Sequence, residues 1–463
     1  MLKLILNKST ICLFASLVMI AAQAADGTAY VVLGENGQQL ARLLTSEAQC
    51  PLIRFDESDV RMDERAAPAA LPLRTTRSAV ADSKPSVFPL RTCEKLIPPQ
   101  TLHALIGSQS LPLRPAKIDR IVVIGDTGCR LKKADGAYQA CNDSARYPFA
   151  QIAAAAANWK PDLVVHVGDM IYRENACADD HPGCKDSPWG YGWDAWQADF
   201  FAPADVLLKA APWVMVRGNH ESCARAGQGW WRMIDPHPLV AGQDCNDEKN
   251  DDQGDYSDPY GIFLDADAQL IVMDTSNTLN GVIPEGDVRQ DKYRDLYRKI
   301  DKLSQQAVYN ILANHHPLLG FAATQDKQGQ VTLRPGNQGM QSVFAAINPL
   351  LLPPRIDALL SGHVHLWQQV SFSSPHPTQF IAGFSGTEED TVLIPEHLPA
   401  AATPAAGAVV EQFSSWVNGF GFMTIERKGA TQWDVKVWDT DGVLRNSCTV
   451  AGKHSICEQA QVK

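Results

Sequence analysis

From Ile118 onward the chain alternates short apolar runs with longer amphipathic stretches. Residues 119–124, 163–167, 213–216, 270–273, 309–313 and 356–360 are too short for helices and have few polar breaks, so they read as strands covered on both faces. Between them, 148–159 (with the alanine run 153–157), 190–209 and 289–306 read as helices. Strands alternating with helices predict α/β layers. The tail returns to strand texture at 421–426 and 433–438, then ends in a loop holding Cys448 and Cys457. Residues 25–115 differ: brief apolar alternations (30–33, 51–55) are broken by Gly, Pro, Asp and Ser, and 66–85 is loop-like. This predicts a small β-rich N-terminal region.

The first 24 residues have a different logic. Lys3 and Lys8 precede the apolar run 11–22, and Ala22-Gln23-Ala24 has the small-x-small form of a signal-peptidase site. The run is too short to span a bilayer, so a cleaved secretory leader is expected and no membrane span after it. Cleavage changes the cysteine arithmetic. The sequence has 11 cysteines, and losing Cys12 leaves ten, in neighbouring pairs: Cys50/Cys93, Cys129/Cys141, Cys177/Cys184, Cys223/Cys245 and Cys448/Cys457. Sequential disulfides are expected, and no Cys-x2-Cys knuckle suggests structural zinc. Disulfides imply an oxidising setting, periplasmic or secreted.

With 45% hydrophobic and 20% charged residues in 463, the composition is that of a globular chain. The formal charge of −11 becomes −13 once Lys3 and Lys8 leave, which argues against a nucleic-acid-binding or anionic-membrane surface. The acidic stretch 244–258 lacks the spacing and distal Glu of an EF-hand loop, which favours a solvated loop over a cation site.

Five strand ends carry the chemistry: Gly125-Asp126-Thr127-Gly128, Gly168-Asp169-Met170-Ile171-Tyr172, Gly218-Asn219-His220-Glu221, Asn314-His315-His316-Pro317 and Gly362-His363-Val364-His365. A single Gly-Asp or His at a strand end is commonplace. Five in order at strand C-termini, where α/β folds place their sites, are not explained by loop packing. Asp, Asn, His and Tyr are O and N donors suited to Fe, Zn or Mn. No Gly-x-Gly-x-x-Gly follows the first strand, which excludes a dinucleotide fold.

In this order the segments resemble the motifs of the calcineurin-like metallophosphoesterases, and among them the purple acid phosphatases. The wider superfamily has a histidine two residues after the first aspartate. Here Gly128 stands there, and Tyr172, three residues after the second aspartate, takes the compensating place it has in purple acid phosphatases. The resemblance implies a metallophosphoesterase-type β-sheet sandwich flanked by helices over 116–445, preceded by the β-rich appendage 25–115 and followed by a disulfide-stapled tail, 446–463. It implies two metal ions. Asp126, Tyr172 and His365 would hold Fe(III), Asn219, His315 and His363 a divalent Fe, Zn or Mn, and Asp169 would bridge them. His220 would face the substrate, with Glu221 supporting it and His316 a further substrate contact.

The chemistry is sound on its own terms. Two cations neutralise the charge of a phosphate ester and pull the pKa of water toward neutrality, and a shared carboxylate fixes their separation. The expected activity is hydrolysis of small phosphomonoesters by a metal-activated hydroxide. Cleavage of diesters or pyrophosphates at the same site, or a non-catalytic metal- or phosphate-binding role, are the alternatives. His166, inside a strand, reads as a core residue. The aromatics Trp189, Tyr191, Trp193 and Trp196 read as core packing of a stapled loop, with a substrate rim as the second reading. Arg334 and Asn337, in the loop-like stretch after the fourth motif, could also reach the site, but nothing in their spacing shows it.

Overall fold

The computed structural model describes residues 27–459, apart from 77, 389–393, 395–397, 400 and 418. The leader expected at 1–24, with Cys12, lies outside the described residues. Eleven strands form the first sheet, in spatial order His454–Gln459, Leu444–Ala451, Gln432–Asp439, Gly421–Arg427, Arg120–Ile124, Leu163–His166, Trp213–Met215, Gly27–Leu33, Gln39–Thr45, Arg91–Leu96 and Asp63–Ala66. Seven form the second: Tyr260–Phe263, Ala268–Val272, Tyr309–Ala313, Ala358–Ser361, Thr378–Ala382, Trp367–Phe372 and Val410–Trp416. The centre of each sheet is parallel.

Successive strand residues point to opposite faces, and here both faces are covered. Ile121, Val123, Val165 and Val214 meet Leu270, Ile311, Leu360 and Phe380 in one core between the sheets. Val122, Ile124, Val164 and Trp213 turn the other way, onto Ile152 of helix Phe149–Asn158 and Leu207 of helix Ala202–Leu208. Ile271, Leu312 and Leu359 likewise meet Tyr293 and Ile300 of helix Val288–Ser304 and Met340 of helix Gln338–Phe344. The layers run helix, sheet, sheet, helix, which is the expected α/β sandwich. Each fully buried side chain of this kind contributes about 1.5–3 kcal/mol. Helix Val288–Ser304 shows how local sequence fits the plan. Asp287 caps it by accepting the Arg289 N–H at 2.9 Å, and Tyr293, Leu296, Tyr297 and Ile300 form its buried stripe.

The N-terminal region is β-rich, and its first strand belongs to the main sheet: Gly27–Leu33 runs parallel to Trp213–Met215 and antiparallel to Gln39–Thr45. All five sequential disulfides are present. The tail departs from expectation. Instead of a loop, Leu444–Ala451 and His454–Gln459 form a hairpin with Cys448 opposite Cys457. Its inward positions include Asn446, which donates to Ser414 Oγ at 2.9 Å, so polar inward residues hid the alternation. The acidic stretch is also more packed than a solvated loop. Asp251 pairs with Arg74 at 2.6 Å, and buried Asp255 lies 3.7 Å from Arg217. The compensating arginines are distant in sequence. Tyr191 and Trp196 pack into the helix-side core. No helix among the described residues is long and apolar enough to cross a membrane.

Candidate metal centre

The C-terminal ends of the parallel strands of both sheets converge at one edge of the sandwich. Asp126, Asp169 and His363 there adopt left-handed backbone, with φ of 52°, 58° and 72°. Non-glycine residues rarely do so, and such outliers gather at functional sites. The motif glycines allow the crowding. A Cβ on Gly218 would lie 2.1 Å from Asp169 Oδ1, and one on Gly168 (φ +99°) 2.5 Å from His315 Nδ1. At Gly128 a Cβ would sit 2.7 Å from the Tyr172 backbone nitrogen, so a side chain there and this course of the Tyr172 loop exclude each other.

All seven expected ligands fall in one cluster, as two groups of donor atoms. In the first, Tyr172 Oη lies 2.8 Å from Asp126 Oδ1, 2.8 Å from Asp169 Oδ2 and 2.9 Å from His365 Nε2. In the second, His315 Nε2 lies 3.0 Å from the same Asp169 Oδ2 and 3.2 Å from Asn219 Oδ1. A ring nitrogen of His363 is within 4.8 Å of one on His315. Asp169 Oδ2 is thus common to both groups, while its Oδ1 accepts the His220 N–H at 2.8 Å.

The chemistry of these donors fits cations. His365 Nδ1 donates to the Glu388 carbonyl and His315 Nδ1 to the Val167 carbonyl, both at 2.8 Å, so each turns the Nε2 lone pair inward. One phenolic proton cannot serve two carboxylates and an imidazole lone pair at once. Burial, then Asp126 and Asp169, push the Tyr172 phenol well above its usual range. For His315, burial opposes protonation but Asp169 outweighs it, raising the ring to about 9. Metal–O and metal–N bonds of about 2.0–2.2 Å put neighbouring donors about 2.8–3.1 Å apart at right angles, or about 3.3–3.6 Å in a tetrahedron. The spacings of 2.8–3.0 Å fall in the first range, and the 3.2 Å between His315 and Asn219 lies between the two.

His220 packs against the Tyr172 ring at 3.9 Å between centroids, with Nε2 4.0 Å from Asp169 Oδ2. Its Nδ1 lies 3.2 Å from Glu174 Oε1, which is 3.7 Å from Arg225 Nε. Burial, then Arg225, hold His220 well below the usual imidazole range. Glu221 points away from the donor groups. Its carboxylate accepts N–H groups from Gly218, Asp169, Met170 and Ile171 at 2.8–3.2 Å, tying two motif loops together. Burial, then Asp169, raise it to about 8. The His316 ring sits 4.3 Å from that of His363, and its Nδ1 lies 3.1 Å from Thr275 Oγ1.

His166 is a core residue as expected, paired with Thr127 Oγ1 at 2.9 Å. Asn337 is not free for the site: its Oδ1 caps a helix through the Met340 N–H, and its Nδ2 donates to the Leu279 carbonyl. Arg334 lines a cavity of about 380 Å³ that reaches His363. A larger cavity, about 520 Å³ beside Tyr256 and Lys292, contains none of the donors.

Three contributors were missed by the sequence reading. Glu174, five residues after Asp169, could have been found only as a buried acid beside Arg173. Arg225, five residues after His220, carried no distinguishing pattern. Asp199 lies in a π-helical turn, where it accepts the N–H groups of Cys129 (3.0 Å) and Tyr172 (2.9 Å) and so fixes the loop bearing Tyr172.

The fold and motif order have counterparts among known proteins. No curated protein sequence matches the chain. Among solved structures, the purple acid phosphatase PPD1 from yellow lupin (Lupinus luteus) seeds superposes with a TM-score of 0.56 at 13% identity, over 91% of this chain and 74% of that one. PhoD superposes with a TM-score of 0.54 at 12% identity, over 94% of this chain and 92% of that one. These likenesses concern the fold. A family model for the calcineurin-like phosphoesterases matches residues 119–366, more than half of the chain and all five motifs. The chain therefore belongs to the calcineurin-like phosphoesterase family, and is a metal-dependent phosphoric ester hydrolase.

Proposed function

We propose that the protein is a phosphomonoesterase of the periplasm or cell exterior, with a dinuclear metal centre. The observation that carries this reading is the single oxygen, Asp169 Oδ2, shared between two groups of inward-facing lone pairs. On this reading Asp126, Tyr172 and His365 hold one ion, Asn219, His315 and His363 the second, and Asp169 both. Fe(III) suits the site with the phenolate, and divalent Fe, Zn or Mn the site with two imidazoles and an amide. When bound, such a pair supplies charge neutralisation and lowers the pKa of water.

The protein's own groups then have separate tasks. Asp169 fixes the separation of the two groups. Asn219, a neutral donor, leaves the second group less negative than a carboxylate would, which favours an anionic substrate. His220, held from behind by Glu174, presents Nε2 to the phosphoryl oxygens or the leaving group. Thr275 Oγ1 accepts the His316 N–H and can donate to His316 Nδ1, leaving Nε2–H as a donor toward a substrate oxygen. Glu221 keeps the loops in register and touches no substrate. Five disulfides support an oxidising compartment.

The test is hydrolysis of phenyl phosphate against bis(phenyl) phosphate by protein purified with its own metals. Faster turnover of the monoester supports the reading. Preference for the diester would make this a phosphodiesterase, and no hydrolysis after Fe, Zn or Mn addition would make it a binding protein.

A further inference from the structure

The cavity of about 380 Å³ beside His363 has a composition of its own. Its wall includes Phe321, Leu333, Asn280 and Thr332, with Arg334 on the hairpin strand Val331–Arg334. Among the described residues, no carboxylate lines it. The exposed Arg334 side chain makes no hydrogen bond or ion pair among the described residues.

Two features connect the cavity to the chemistry. It shares His363 with the second donor group, so the ester substituent of a phosphoryl group held at the donors has this opening beside it. Its size falls in the range that encloses organic ligands, and the phosphoryl group itself does not need that room. The apolar part of the wall, Phe321 and Leu333, favours a flat or aliphatic body. The planar guanidinium matches a carboxylate or a second phosphate, which it can bind through two parallel N–H donors.

We propose that this cavity is the leaving-group subsite, and that it selects organic phosphate esters whose alcohol portion carries a second anionic group, read by Arg334. The proposal rests on the phosphoesterase reading above. Arg334 specifies the substrate and takes no part in the bond-breaking step.

The test compares phenyl phosphate with 4-carboxyphenyl phosphate, using the metal-loaded full chain and its Arg334→Ala and Arg334→Lys variants. Arg334→Ala is expected to lower kcat/KM for the carboxylated ester about three- to tenfold, mainly through KM, the range for a charged contact at an exposed site. Phenyl phosphate should change less than about twofold, as its alcohol portion carries no anionic group for the guanidinium to pair with. Arg334→Lys should recover part of the loss, and high ionic strength should shrink it. Equal losses on both esters, or none on the carboxylated one, would overturn the subsite. Failure of the unmodified protein to hydrolyse either ester would instead overturn the phosphoesterase reading, and the subsite with it. Arg334 lies exposed on a surface hairpin, so an unchanged melting temperature separates a binding effect from a folding one.

Discussion

Replacing Glu174 with glutamine removes the charge behind His220 while keeping the shape of the side chain. The Glu174 side chain is 0% exposed, 3.2 Å from His220 Nδ1 and 3.7 Å from Arg225 Nε. Unit charges at the second distance interact by about 4.5 kcal/mol at an effective dielectric of about 20. Deleting one member of a buried pair typically costs about 3–5 kcal/mol, because the other charge is left uncompensated. Glu174 and His220 Nδ1 are close but not hydrogen-bonded, so the ring orientation, set by packing on Tyr172, survives the change. The lost terms are the counter-charge for Arg225 and support for positive charge on the imidazole. Glu174→Gln is therefore expected to lower unfolding free energy by about 3 kcal/mol or slightly more. It should reduce kcat about 10²–10⁴-fold, the usual weight of positioned acid–base catalysis. Metal content and KM should hold. The assay is steady-state kinetics on phenyl phosphate with elemental analysis and urea unfolding on the same preparations. Glu174→Asp, with the charge retained on a shorter arm, should recover part of kcat. A Glu174→Gln protein with near-normal kcat and intact metal content would refute the claim that Glu174 acts through His220.

Three further outcomes are expected. Asp169→Asn should fold, since its amide oxygen can keep the His220 N–H bond, but lose metal at both sites. Changes one shell further out cost about 10–100-fold in affinity, so a shared ligand should cost at least that at each site, and two retained ions per chain would contradict the sharing. Tyr172→Phe should abolish any phenolate-to-iron absorption while keeping the ring contact with His220, and an unchanged visible spectrum would remove Tyr172 from the centre. The Asp235–His237 pair, 2.7 Å apart, should make stability pH-dependent. Burial opposes both shifts, but each partner outweighs it, so Asp235 is held well below the carboxylate range and His237 above its usual value. The pair's contribution is full between about pH 4 and 6.5, and is lost as pH rises through the folded His237 value or falls through that of Asp235. His237→Gln should cost about 1.5–3 kcal/mol near pH 5.5 and clearly less at pH 9. An equal cost at both would refute the coupling.

The strands that carry the motifs were legible because both faces of each sheet are covered, which makes 121–124 and 163–165 unbroken apolar runs. The donor residues were legible because each sits two to five positions past the end of a strand so read. What escaped was non-local. Nothing in residues 27–33 states that they extend the main sheet beside Trp213, since that parallel pairing joins segments far apart in sequence. The tail hairpin was hidden by Asn446 and Cys448 at inward positions. Glu174, Arg225 and Asp199 act through partners on other loops, so no spacing announced them. Asn337 shows the converse: a candidate only for following the fourth motif, it is occupied as a helix cap.

The shared oxygen of Asp169 is the centre of the account, and metal stoichiometry tests it most directly. Elemental analysis of protein purified without added metal, with its visible spectrum, should find two ions per chain, one of them iron. A single ion per chain at saturation, with phosphoesterase activity intact, would contradict the account.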